Sequence, residues 1–154
     1  MAADKSFSNE FLKYALVSAL SGNTVKVALC GDGLALDDTD QYLSGATLDE
    51  ISPTSGYSGG HGNSGRKSLT MSFSADNTDD EGVMDATNLT WTPGTGATIH
   101  YAVYHIAGAT GDTDAVYIGK VGVGGTTGQV TNGGQIELEF DTEGLINFGR
   151  ASGS

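Results

Sequence analysis

The side chains best suited to proton transfer or metal ligation near neutral pH are the three histidines, His61, His100 and His105. General acid–base work needs a second titratable group within hydrogen-bond reach, and a metal site needs several donors converging on one point. The spacing supplies neither. His100 and His105 stand five positions apart in a β-prone run, so their side chains point to opposite faces, and His61 sits among glycines in YSGGHGNSG. Cys30 closes the apolar run VKVALC, where a buried, inert thiol is the expectation. As the single cysteine it forms no intrachain disulfide. Serines and threonines abound, but a hydroxyl without an adjacent base is a poor nucleophile. No GxSxG elbow, HExxH, CxxC, P-loop or strand-borne GxGxxG occurs.

Acidic clusters are the remaining chemical feature. Asp37, Asp38 and Asp40 share one loop, and Asp76, Asp79, Asp80, Glu81 and Asp85 surround a strand end. Calcium takes several such oxygens, but neither cluster has the alternating acids and central glycine of an EF-hand. They read as solvated turn acids, and no metal or cofactor is expected. Glu137, Glu139 and Asp141 line one strand face and repel each other unless a cation lies opposite. Lys26, Lys67 or Lys120 on an adjacent strand is the expected answer, ahead of a partner's basic surface.

A chain of 154 residues holds one ordinary domain with its own core. Nineteen acidic residues against seven basic ones leave a formal charge of −12, which opposes phosphate backbones and anionic lipid. Nucleic acid and membrane are therefore not expected partners. No run approaches the roughly 18 apolar residues of a membrane span, and MAADKSFSNE lacks the basic-then-apolar order of a signal peptide. Twenty-four glycines against two prolines point to many tight turns.

The elements that must position these residues follow from periodicity. In NEFLKYALVSAL, apolar residues recur at helical spacing, with Ser8 as N-cap, Phe7 stapling onto Leu12, and Gly22 at the C′ position. Tyr14 and Val17 add apolar surface on its other side, so Phe7, Phe11, Leu12, Tyr14, Leu16, Val17 and Leu20 form the candidate partner interface. From Asn23 the period becomes two. TVKVALC and KSLTMSF read as half-buried strands, and NLTWT, VYIGKVGV and QIELEFD add others, with GLINFG as a last short strand. ATIHYAVYHIA reads as one long central strand buried on both faces. Residues 32–65 are the least regular stretch, with 55–65 a mobile surface loop. The expected core is Val25, Val27, Leu29, Leu69, Met71, Phe73, Leu89, Trp91, Ile99, Tyr101, Val103, Ile118, Val121, Ile136, Leu138, Phe140 and Ile146. Short strands separated by glycine turns favour a mainly β fold, an antiparallel, jelly-roll-like β-sandwich with a short N-terminal helix or arm. The expected division is an arm over 1–22, the sandwich over 23–150, and a tail over 151–154.

Taken together, TVKVALC, DTDQYLS, ATLDEIS, DATNLTWT, ATIHYAVYHI and the closing GGQIELEFDTEGLINFG resemble a family of tailed-bacteriophage capsid decoration, or cement, proteins. The likeness runs from about Asn23 to Phe148 and rests on structural motifs; the loop 55–65 and the acidic TDDEG depart from it. The resemblance implies a non-enzymatic virion protein on the outer surface of the phage head. Its partners would be the major capsid protein and itself, as a homo-oligomer, a trimer ahead of a dimer. The alternative is a carbohydrate- or host-surface-binding jelly-roll module of a fibre or tail, with Tyr57, Trp91, Tyr101, Tyr104 and Tyr117 as stacking platforms. A hydrolase working through Asp38 and Asp80 is the third reading, and no motif supports it.

Overall fold

Ser8 does what its type and place suggest. In the computed structural model, which describes residues 8–45, 47–51, 56–78, 81–140 and 146–149, its hydroxyl accepts a hydrogen bond from the Phe11 amide at 3.2 Å. That cap opens α1 (Asn9–Leu20); Ser21 N–H closes it on the Val17 carbonyl, and Gly22 follows with φ 84°. Phe7 lies outside the described residues.

The rest is mainly β. The strands are β1 (Val25–Cys30), β2 (Lys67–Ser68), β3 (Met71–Asp76), β4 (Glu81–Ala86), β5 (Leu89–Trp91) and β6 (Thr95–Ile99). Then come β7 (Tyr101–Ile106), β8 (Val116–Gly122), β9 (Gln129–Asn132), β10 (Ile136–Leu138) and β11 (Ile146–Gly149). Among the described residues all pairings are antiparallel, as expected of a sandwich-like chain, but the sheets are small and no barrel closes. Among the described residues no helix is long and apolar enough to cross a membrane. The chain divides into two compact units, one grouping residues 1–22, 70–88 and 139–154, the other 23–69 and 89–138.

In the first unit, β4 lies between β11 and β3, and α1 packs on this sheet. Leu12, Leu16 and Leu20 form the buried stripe of the helix, and Met84 and Val83 are buried in β4. The contact is close enough to dictate a residue. A Cβ on Gly82 would stand 2.3 Å from the Lys13 backbone nitrogen and 2.5 Å from the Leu12 carbonyl carbon. Gly82→Ala is therefore expected to lift α1 off its sheet and destabilise this unit by about 1–3 kcal/mol, read as a fall in the helix melting temperature by circular dichroism.

In the second unit the sheet order is β2-β1-β7-β8, with β10-β5 and β6-β9 as separate pairs. β7 is central, as expected. β1 departs from the half-buried expectation, because Ala28 and Cys30 are as fully buried as Val25 and Val27. Leu36, Leu43 and Ala115 join Ala28, Cys30 and Val103 in one core cluster, so part of the irregular stretch after β1 is core. Two other expectations needed correction. The run ATIHYAVYHIA is interrupted at His100, whose N–H bonds the Cys30 carbonyl while its own carbonyl accepts from Val123, so β6 and β7 belong to different sheets. KSLTMSF divides between β2 and β3, which pair with β1 and β4 respectively.

Of the expected core, Val25, Val27, Leu29, Leu69, Leu89, Trp91, Ile99 and Val103 are buried. Met71, Phe73, Tyr101, Ile118, Ile136, Leu138 and Phe140 are half-buried, and the Ile146 side chain lies outside the description. Val121 is exposed, at 44%. It sits where β8, the last strand of its sheet, runs past the segment around Gln41 to Leu43 that covers the strand's start through Tyr117 N–H to Gln41 O. Glu137 is paired in register with Thr90, so the expected lysine is not on its partner strand. Lys67 instead stands 5.8 Å from the Trp91 ring and Lys120 5.5 Å from that of Tyr101. Asp141 lies outside the described residues.

Candidate functional site

The densest polar constellation among the described residues is centred on Arg66, which no motif marks in the sequence. Its guanidinium is buried, with a side chain 2% exposed, and it grips two carboxylates. Nε lies 3.1 Å from both Glu50 oxygens and Nη2 lies 2.7 Å from Oε2. On the other side Nη1 and Nη2 reach the Asp112 oxygens at 2.5 and 3.0 Å. Both carboxylates are thus held by the planar donor fork that suits arginine and not lysine.

Each partner is set by local structure. Glu50 belongs to residues 49–51, which extend the edge of β1: Gly31 N–H bonds Asp49 O, Ile51 N–H bonds Leu29 O, and Cys30 bridges to Glu50. A Cβ on Gly31 would stand 2.5 Å from Asp49 Oδ2, so a side chain there would push the Asp49 carboxylate aside. Tyr57, buried to 2% exposure, donates its hydroxyl to Glu50 Oε1 at 2.7 Å and accepts from Leu29 N–H at 3.0 Å. Gly60 N–H donates to Glu50 Oε2 at 2.8 Å. Asp112 rides on the β7–β8 loop, which closes around Asp114, whose carboxylate accepts from the amides of Ala109, Thr110 and Gly111.

Electrostatics follow from these contacts. Burial alone would weaken the Arg66 charge, but hydrogen bonds to Asp112 and Glu50 outweigh it and hold the guanidinium more firmly protonated than usual. The Arg66 bonds hold the Asp112 carboxyl below its ordinary range, and amide donors led by Thr110 do the same for Asp114. Burial, then the nearby Glu50 charge, push the Cys30 thiol and the Tyr57 phenol upward, so neither is a thiolate or phenolate near neutral pH. The expected inert thiol at Cys30 is what the structure holds. Burial likewise raises Tyr104 to about 12.

Chemically the cluster is a fastener. Both oxygens of Glu50 are engaged by at least two donors, which leaves them poorly placed to take a proton from a substrate. The glycine loop expected to be mobile is fastened here instead: its described part, residues 56–65, is tied through Tyr57, Gly60, Gly65 N–H to Ser58 O, and Trp91 Nε1–H to Gly65 O at 2.7 Å. The sequence signal was faint, a lone arginine between a glycine loop and a strand in an acidic chain.

The histidines have separate roles. His61 is exposed, with Nε2 3.0 Å from the Gly108 carbonyl; His100 sits at the β6–β7 break; His105 is buried in β7 with Nδ1 lacking any hydrogen-bond partner. Among the described residues no three His, Cys, Asp or Glu side chains gather to hold a metal ion. Asp37 accepts from Thr39 N–H and hydroxyl, and Asp40 from Asp37 N–H, so these acids cap their own turn. Asp76 accepts from Thr78 N–H and Asp85 from Ala86 N–H; Asp79 and Asp80 lie outside the described residues. A shallow cavity of about 360 Å³ is lined by Asp32, Asp49, Glu50, Ile51 and the β6 residues Thr95 to Thr98. Of the aromatic residues proposed as sugar platforms, Tyr57, Trp91 and Tyr104 are buried and Tyr101 and Tyr117 half-buried.

The candidate interface on α1 separates into two faces. Leu12, Leu16 and Leu20 are buried in the first unit's own core and cannot meet a partner, because the helix lies on β3 and β4. Phe11 and Tyr14 are exposed, and Val17 is half-buried. No family model, curated protein or solved structure matches the chain.

Proposed function

We propose that the chain is a structural protein of a tailed-phage virion, a decoration or cement protein that binds the outer surface of the major-capsid shell and stabilises it. The observation that carries the reading is the use made of its ionisable groups: Arg66, Glu50, Asp112 and Asp114 are spent on fastening loops to a β body. Such a body works through its outside, and on this reading it turns over no substrate. The resemblance between Asn23 and Phe148 supplies the setting. A charge of −12 favours the outer face of a head over its DNA-filled interior and over anionic lipid.

Attachment needs only modest contacts, because repetition over many symmetric copies multiplies weak affinity. Anything that binds the assembled shell and not its dissociated subunits stabilises the shell by mass action. Heads lacking the chain are expected to rupture at lower temperature, and purified chain added back should restore the difference and appear as density outside the shell in electron cryo-microscopy. Heads indifferent to its loss, or density confined to the tail, would overturn the proposal.

A further inference from the structure

The turn after β9 sets an asparagine directly before a glycine. Of the seven asparagines in the chain, Asn132 alone has glycine next in sequence. Residues 132–135 are exposed and join β9, which pairs with β6, to β10, which pairs with β5. Asn132 folds its side chain back on its own backbone: Oδ1 accepts from Gly134 N–H at 2.9 Å, the bond by which asparagine shapes a turn. Gly133 takes φ 84°, which glycine adopts without strain, and the space beside it is open. A Cβ there would meet only Thr95 Cγ2, at 3.8 Å.

We infer that Asn132–Gly133 is a self-modification site, where the folded chain converts asparagine to isoaspartate and aspartate through a cyclic imide. The Gly133 nitrogen gives its proton to solvent and bonds to Asn132 Cγ, and the carbonyl electron pair moves onto Oδ1. Gly134 N–H, already on that oxygen, is aimed where the negative charge develops. The pair then returns, the Cγ–Nδ2 bond breaks, and Nδ2 takes up a proton and leaves as ammonia. Water opens the five-membered ring. Breaking the bond from the Gly133 nitrogen to Cγ leaves aspartate, and breaking its bond to the Asn132 main-chain carbonyl carbon leaves isoaspartate. One water enters and one ammonia departs, with no oxidation or reduction.

Other asparagines are less well set for this chemistry. Asn63 precedes a serine, and its Nδ2 donates to the Gly59 carbonyl at 2.5 Å. Beside Asn77 the attacking nitrogen is occupied, because Thr78 N–H donates to Asp76 Oδ1 at 2.7 Å. Asn88 precedes the buried Leu89 of β5, and Asn9 lies in α1. The product adds a carboxylate to a chain already at −12, and isoaspartate routes the main chain through one extra carbon between β9 and β10. The inference does not rest on attachment to a phage head.

Incubation of the full chain in mildly alkaline buffer, followed by peptide mass spectrometry, tests it. Residue 132 should gain about 1 Da at least about tenfold faster than any other asparagine, because only there does an unhindered nitrogen adjoin a hydrogen-bonded side-chain carbonyl. The rate should rise with pH, since the nucleophile is the deprotonated amide. The aged chain should accept methyl groups from S-adenosylmethionine through an isoaspartyl methyltransferase. Asn132→Gln, at an exposed position, should lose that acceptance, because glutamine must close a six-membered ring, which forms far more slowly. Mass gain absent at residue 132, gain at another asparagine first, or gain only after urea has unfolded the chain would overturn the inference. So would aspartate without isoaspartate, a rate indifferent to pH, or methyl acceptance undiminished in Asn132→Gln.

Discussion

Arg66→Met is expected to lower the unfolding free energy of the second unit by about 3–4 kcal/mol, the largest loss from any single replacement of a charged residue in that unit. Methionine keeps much of the stem's packing but removes every donor of the fork. Glu50, with a side chain 11% exposed, is then a buried carboxylate whose charge no cation answers. The Asp112 end contributes less because its side chain is a third exposed and water can replace the lost bonds. Trp91 is the reporter: it is the single tryptophan, and its indole N–H is bonded to Gly65, the residue before Arg66. Urea titrations followed by its fluorescence should show a lower midpoint. Adding Glu50→Gln to Arg66→Met should recover part of the loss, since it removes the stranded charge. A single variant as stable as wild type would show that the cluster fastens nothing.

The second large effect is a loss of stability in mild acid, governed by His105. Burial first, then the neighbouring Arg66 charge, lower its pKa to about 4, with Asp112 and Glu50 opposing the shift. Its cross-strand neighbours are Lys26 on β1 and Tyr117 on β8. Above about pH 6.5 the imidazole is neutral in both folded and unfolded chains and carries no pH dependence. As pH falls from 6.5 to about 4, the unfolded chain takes up a proton that the folded chain refuses, so stability declines, by about 3 kcal/mol across the window. Below that window both forms are protonated and the histidine contribution levels off. Asp112, Asp114 and Asp37, all held below their ordinary range, then take over as their carboxylates protonate. Trp91-monitored unfolding at several pH values should show the two windows. His105→Leu should flatten the upper one and leave the lower one in place. An upper window unchanged in that variant would sink the assignment.

How much of this was legible in advance depended on how local the signal was. The cap at Ser8, the turn at Gly22, the inert Cys30 and the central place of β7 follow from side-chain type and short-range period, and each stands as expected. Strand continuity was not legible. His100 and the Leu69–Thr70 junction carry no breaker residue; the chain changes sheet there because backbone partners distant in sequence capture it, Cys30 and Val123 in one case and β4 in the other. The fastening of Arg66 to Glu50 and Asp112, 16 and 46 positions away, left no periodic trace for the same reason.

By itself the sequence determined a mainly β, antiparallel chain with one capped helix and an acidic exterior, because hydrophobic period, capping chemistry and net charge act over a few residues or over the sum of them all. Only the tertiary structure decided which strands share a sheet, that the glycine loop is fastened down, and which side of α1 packs on its sheet. Those outcomes depend on long-range closure: a lone arginine or a leucine stripe acquires its role only when segments far apart in the chain arrive beside it.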